Sequence, residues 1–127
     1  MNAALQVDLF DQANASRVKG RIHSGFGGST DFIVGAPHSR GGRSFMALPS
    51  WHARANCSTI VPPTIEPVTS FQHSFVATER GIAACFGLSQ ADQARNITHK
   101  RGAPFRSRRT RGECAGVRPL LTALHPE

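Results

Sequence analysis

Three glycines within four residues, Gly25-Phe26-Gly27-Gly28, lead into the polar run Ser29-Thr30-Asp31 and then the apolar stretch Phe32-Ile33-Val34. Glycine has no Cβ, so such a run can take positive φ and lets another molecule come close to the main chain. The pattern reads as a loop feeding a packed element, with backbone N–H groups that can be aimed at an anion or an acyl oxygen. It matches neither G-x-G-x-x-G nor the phosphate loop G-x-x-x-x-G-K-[ST]. Taken by itself it is equally the sequence of an ordinary glycine-rich turn.

The rest of the chain reads as short elements between loops. Leu5 to Phe10 alternates apolar and polar residues as a strand does. Gln12 to Ser16 reads as a loop or turn, and Gly20 to Thr30 as the glycine-rich connection. Phe32 to Ala36 is a short apolar element that Pro37 should break. Strands are expected at Ser44 to Leu48, Ser58 to Val61 and Phe75 to Thr78. A helix should start at Ser89, whose hydroxyl can cap the first turn with Asp92 completing a capping box, and should run to about Ile97. Short strands with a closing helix fit a layered α/β domain.

Charge is unevenly placed. Met1 to Thr98 carries eight Lys+Arg against six Asp+Glu, whereas His99 to Glu127 carries seven against two, so most of the net +7 belongs to the last segment. That segment is rich in Arg, Gly and Pro and shows no helical or strand period, and it is expected to be disordered. No stretch approaches the ~20 apolar residues of a membrane span, and no signal peptide is read at the start. Cys57, Cys85 and Cys114 stand far apart without C-x-x-C, which suits reduced thiols in the cytoplasm, with Cys57 and Cys85 as small apolar filler. The six histidines show no ligand spacing, so a metal site is not expected. Trp51 and the eight phenylalanines are scattered, which suits core packing better than base stacking. Pro37-His38-Ser39-Arg40-Gly41 misses G-x-S-x-G because proline replaces the first glycine.

Several motifs in order resemble the C-terminal domain of the acetyl-CoA hydrolase/CoA-transferase family. Gly25-Phe26-Gly27-Gly28-Ser29-Thr30-Asp31-Phe32 is similar to its G-x-G-G-x-x-D-F segment. The likeness continues through Gly41-Gly42-Arg43-Ser44-Phe45-Met46-Ala47-Leu48-Pro49, Ser58-Thr59-Ile60-Val61-Pro62 and Val68-Thr69. Phe75-Val76-Ala77-Thr78-Glu79-Arg80-Gly81-Ile82-Ala83 resembles its V-T-E-x-G-[IV]-A motif. Within the superfamily, Leu5 to Asn14, His23 to Gly28 and Ser70-Phe71-Gln72-His73-Ser74 most resemble the α subunits of malonate decarboxylases. The resemblance covers Leu5 to about Ile97 and implies a CoA-transferase-like layered α/β domain over residues 5–97, incomplete, with a disordered basic tail over residues 98–127. Because the likeness is in full course by Leu5 and stops abruptly, the chain reads as a fragment with a frame-shifted or divergent end.

The resemblance also implies chemistry. In this family a glutamate carboxylate attacks a thioester carbonyl to give an acyl anhydride and then a glutamyl thioester, covalent catalysis that divides one hard step. By the resemblance the Gly27-Gly28 backbone supplies an oxyanion donor, with Gly28 the better candidate, while the nucleophile lies upstream of the glycine segment. Glu79 is placed near the reaction centre, able to orient a carboxylate or a water; a solvated turn carboxylate is the alternative. Arg80 departs from the Gln, Tyr or Phe common at its position. Gly27, Gly28, Ser29, Asp31, Ser39 and Arg40 form the expected thioester-binding set, although Asp31 also suits a helix cap and Ser39 and Arg40 a solvated loop.

The implied activity is exchange of acetate for malonate on a carrier-protein thioester, or CoA transfer or hydrolysis with free acyl-CoA. No covalent cofactor is implied. CoA or a CoA-like arm is the thioester partner, and an acyl carrier protein and other malonate decarboxylase subunits are the protein partners. A nucleic-acid-binding module is the rival class, because Arg106, Arg108, Arg109 and Arg111 could neutralise phosphates. No aromatic interleaving accompanies them. An inert gene remnant is a further rival.

Overall fold

The computed structural model describes residues 1–25, 27–62 and 73–99. Val68-Thr69, Ser70 to Gln72, Cys114 and the basic run from Lys100 lie outside these residues. The main sheet has four strands in the order β1 (Asn2–Ala3), β6 (Phe45–Ala47), β10 (Phe75–Thr78), β11 (Gly81–Ala84). β1, β6 and β10 are mutually parallel, and β11 runs antiparallel to β10. A second sheet of three strands places β2 (Gln6–Asp8) between β3 (Ala13–Asn14) and β9 (Ile60–Val61). Two small hairpins complete the strands, β4 (Arg17–Val18) with β5 (Arg21–Ile22) and β7 (Trp51–His52) with β8 (Cys57–Ser58). Helix α1 (Ser29–His38) lies in the crossover between β1 and β6, and α2 (Gln90–His99) packs on β11. A crossover of this kind is what parallel neighbours require.

The buried hydrophobic residues are aliphatic or small: Val7, Leu9, Ile33, Met46, Leu48, Ile60, Val76, Cys85 and Ile97 lead them. Cys85 therefore is core filler, and burial pushes its thiol up to about 12. Of the aromatic residues expected in the core, Phe10 is partly buried against it. Phe32, Trp51 and Phe86 are exposed, and Phe45 and Phe75 stack on neighbouring strands with centroids 4.9 Å apart. A cross-strand pair of this kind stabilises the sheet from its face.

Two polar devices tie the start of β10 to its neighbours. Ser44 and Ser74 bond each other's backbone reciprocally, Ser44 N–H to Ser74 Oγ at 3.0 Å and Ser74 N–H to Ser44 Oγ at 2.8 Å. Next to them, His73 donates its N–H to Asp11 Oδ2 at 2.6 Å, and its Nδ1 lies 2.6 Å from Asp11 Oδ1. Asp11 sits in the β2–β3 loop with φ +62°, a left-handed conformation that Asp tolerates better than most residues. Asp8 closes that loop by accepting from the N–H groups of Phe10 and Gln12 at 2.8 and 2.9 Å. Burial holds the Asp11 carboxyl above its ordinary range, against the His73 contacts that act to lower it.

Several expected elements differ. Phe32 to Ala36 is part of a helix that starts at Ser29 and carries Pro37 in its last turn, where fewer intrahelical bonds are lost. Ala13-Asn14 is a strand rather than a loop, and β11 was not expected at all. The closing helix is as the capping pair requires, with Asp92 N–H donating to Ser89 Oγ at 3.2 Å. Ser89 Oγ in turn donates to Asp92 Oδ2 at 2.7 Å. That helix extends through Thr98 and His99, two residues past the expected boundary.

Candidate functional site

The parallel register of β6 and β10 carries both strands to one end of the sheet, with Ala77 opposite Ala47. The open ends of parallel strands are where α/β sheets place ligands. One step further, Leu48 N–H still donates to Ala77 O at 3.1 Å, and the chain then turns at Pro49. Ser50 thereby comes to face the two-residue turn Glu79-Arg80 that joins β10 to β11. Gly81 follows at φ +152°, a conformation that favours glycine and lets so short a turn re-enter the ladder.

Ser50 binds both oxygens of Glu79. Its N–H donates to Oε2 at 2.8 Å and its hydroxyl donates to Oε1. Arg80 Nε donates to Ser50 Oγ at 3.1 Å and lies 3.7 Å from Glu79 Oε1. Ser50 is buried, whereas the Glu79 and Arg80 side chains are 57% and 53% exposed. The site is thus a buried hydroxyl with an oriented anion and cation on its outer side. The Ser50 hydroxyl bond, then its backbone N–H, hold the Glu79 carboxyl below its ordinary value of 4.5, with Arg80 adding to the effect. Glu79 is accordingly an ionised acceptor near neutral pH and a weak proton acceptor.

Of the other expected residues, Ser29 and Asp31 lie on α1 and Gly27, Gly28, Ser39 and Arg40 flank it. Gly27 takes φ +57°, so the positive φ expected of the glycine run falls there. Gly28 is the N-cap at φ −87° and ψ 11°, open to any residue, and its carbonyl accepts the first helical bond from Phe32 N–H at 3.2 Å. No side chain caps α1, so Asp31 does not serve as its N-cap; it is an acid in the first turn, where the helix dipole favours it. Ser39 lies past the other end, with its N–H donating to Ala36 O at 3.1 Å and its hydroxyl to Gly35 O at 3.3 Å, and Arg40 is exposed beside it. At about 1.5 Å per residue, the ten residues of α1 separate Ser29 from Ser39. The structure therefore divides the expected thioester-binding set between two helix ends. Glu79 bonds Ser50, which was not among the expected residues. Its only sequence signal is that it follows Ala47-Leu48-Pro49, and its partner stands 29 residues away.

Among the described residues no group of three His, Cys, Asp or Glu side chains could hold a metal ion. None of their helices is long and apolar enough to cross a membrane.

In sequence and fold the chain is similar to known proteins. The family described as acetyl-CoA hydrolase/transferase C-terminal domain matches residues 1–111, past Ile97, where the likeness was expected to end. The chain is 36% identical over 106 residues to a 4-hydroxybutyrate coenzyme A transferase of Clostridium kluyveri, covering 78% of this chain and 25% of that protein. It is 33% identical over 111 residues to an acetyl-CoA hydrolase of Saccharomyces cerevisiae, covering 82% of this chain and 20% of that protein. The crystal structure of RipA from Yersinia pestis superposes with a TM-score of 0.69 at 36% identity, covering 81% of this chain and 24% of that one. The chain thus spans a fifth to a quarter of the length of these relatives.

Proposed function

Because the chain belongs to the acetyl-CoA hydrolase/transferase C-terminal domain family, we propose that it forms the Glu79-bearing part of an enzyme that moves CoA between carboxylic acids. The observation that carries this reading is the fixing of both Glu79 oxygens by Ser50 at the open end of β6 and β10. In the reaction a carboxylate oxygen attacks the thioester carbonyl carbon and the CoA thiolate leaves, giving an acyl anhydride. The thiolate then attacks the glutamyl carbonyl, which releases the first acid and stores CoA as a glutamyl thioester. The second acid repeats the sequence in reverse. Ser50 holds Glu79 as a fixed acceptor, suited to orienting an N–H or O–H of the thioester partner rather than to taking a proton. The Gly28 N–H, at the positive end of α1, is the candidate donor to the carbonyl oxygen as charge develops.

A second reading, exchange of malonate for acetate on a carrier-protein thioester within a malonate decarboxylase, is favoured by one contact. Asp11 and His73, which belong to stretches that resemble its α subunit, bond each other. Both readings are tested in a polypeptide of the relatives' length that carries this segment. CoA transfer from acetyl-CoA to a free acid should fall about a hundredfold in Glu79→Gln, the scale of lost orientation. Transfer only to and from a carrier-protein thioester supports the second reading. A Glu79→Gln enzyme that transfers CoA at the parental rate removes Glu79 from the reaction.

A further inference from the structure

The guanidinium of Arg80 is placed but not satisfied. Its Nε is spent on Ser50 Oγ at 3.1 Å, and it rests 3.7 Å from Glu79 Oε1. Among the described residues its two terminal nitrogens have no partner, and the side chain is 53% exposed. An Arg held through Nε keeps its outer edge, with parallel N–H groups, free for a planar oxyanion. Ser50, itself buried, supplies the fixed point and also fixes Glu79, so orientation on the tip does not depend on a mobile side chain.

We propose that Arg80 is a specificity residue, docking the non-reacting carboxylate of a dicarboxylic acyl group through its free guanidinium edge. This rests on the reading that the segment handles carboxylic acids. Two arguments select this ligand. Glu79 and Arg80 together are neutral, so a single carboxylate adds one charge beside one guanidinium; a phosphate dianion would bring a second charge against the ionised Glu79. A carboxylate pinned by two N–H groups is also a poorer nucleophile, so the pinned group is the one that remains a carboxylate through the reaction. The other end of the same acid carries or receives the thioester.

The test uses the whole 127-residue chain, labelled with nitrogen-15, and titrates it with monomethyl malonate, whose ester stands in for the thioester and whose one carboxylate is the non-reacting group, with methyl acetate, which lacks that carboxylate, and with inorganic phosphate. The Ser50 amide is the reporter. Its N–H is bonded to Glu79, beside the proposed docking edge, and the same titration of Arg80→Gln separates its shift from any effect of anions gathered elsewhere on the chain. Monomethyl malonate should shift the Ser50 amide saturably and bind about tenfold more tightly than methyl acetate, the ratio expected for one additional charge-assisted pair. Phosphate should shift it less than monomethyl malonate. Arg80→Gln should abolish the preference for the half-ester, and Arg80→Lys, which keeps charge but loses the fork, should retain only part of it. The Arg80 side chain lies on an exposed turn, and amide dispersion in both variants checks that they fold.

A preference for monomethyl malonate unchanged in Arg80→Gln overturns the assignment, as does no saturable shift at Ser50 or an equal response to phosphate. These outcomes are separate from failure of the CoA-transfer reading, which is judged by turnover of the longer polypeptide. A longer enzyme that transfers CoA equally well to malonate and acetate, with or without Arg80, leaves that reading standing and removes this one.

Discussion

Gly42 and Gly28 stand close in sequence to the two ends of α1, yet they answer to different physics. A Cβ on Gly42 would lie 1.9 Å from the carbonyl oxygen of Ala36, a backbone atom that cannot swing aside. A Cβ on Gly28 would meet only the ring of Phe32 at 3.5 Å, ordinary contact, and its φ of −87° suits any residue. Gly42→Ala should therefore cost about 1–3 kcal/mol or more of stability, the scale of overpacking, read as a lower midpoint in urea. Gly28→Ala should fold with little loss. Gly28→Val, bulkier and at a helix start, should in a longer polypeptide reduce turnover by about a hundredfold or more if its N–H meets the thioester oxygen. Parental turnover in a folded Gly28→Val enzyme removes the oxyanion role and leaves a glycine-rich turn. The backbone angles make this a cleaner test than the sequence promised, because the left-handed residue is Gly27 and not Gly28.

Between elements, the bond that most deserves testing joins the β2–β3 loop to the start of β10. Asp11 and His73 are both buried, and neither reaches solvent. His73→Ala keeps the backbone N–H bond to Asp11 Oδ2 but removes the Nδ1 contact and leaves buried Oδ1 unpaired, so it should destabilise by about 1–3 kcal/mol. Asp11 also gives a pH test with a definite sign. Its folded pKa lies above the ordinary 3.8, chiefly through desolvation, so its contribution to stability is full below that value and declines as pH rises through the folded value. Asp11→Asn should flatten this part of the stability-against-pH profile, measured by denaturant unfolding from pH 4 upward. A wild-type profile that instead rises through this window would show that the His73 contacts outweigh burial. Nothing local announced the pair, since its members are 62 residues apart. What could be read locally was read well. The strand expected at Phe75 to Thr78 is β10, and the Ser89-Asp92 pair opens α2. β11 escaped because Gly81-Ile82-Ala83-Ala84 has small residues and no Asn-Gly turn before it, and its pairing is supplied by β10. Helix α1 escaped because glycine and proline at its margins resemble punctuation. Ser50 could not be read as a site residue at all, for only the β6–β10 register brings it to Glu79.

At the scale of the molecule, the family and the α/β layering were legible, because several motifs recur in order. The grouping of the site residues was not, because it depends on which strand ends coincide. The same scale sets the last expectation. The chain holds Ser50, Glu79, Arg80 and the glycine segment, and it spans a fifth to a quarter of its relatives' length. A carboxylate that Ser50 keeps ionised and bonded on both oxygens is a poor candidate for the attacking group, since each bond lowers the charge it can share with a thioester carbon. Covalent transfer needs a separate nucleophile, which the family resemblance puts before the glycine segment. The purified 127-residue chain is therefore expected to bind small carboxylates and to turn over none of them. With acetyl-CoA and malonate, release or transfer of CoA should stay at the uncatalysed rate, and mass spectrometry should find no acyl or CoA adduct on Glu79. Turnover above background together with a CoA or acyl adduct on Glu79 would make Glu79 the nucleophile and overturn the division of roles argued from its Ser50 bonds. Tight DNA binding with a steep salt slope, carried by the arginines after Lys100, would instead favour the nucleic-acid reading.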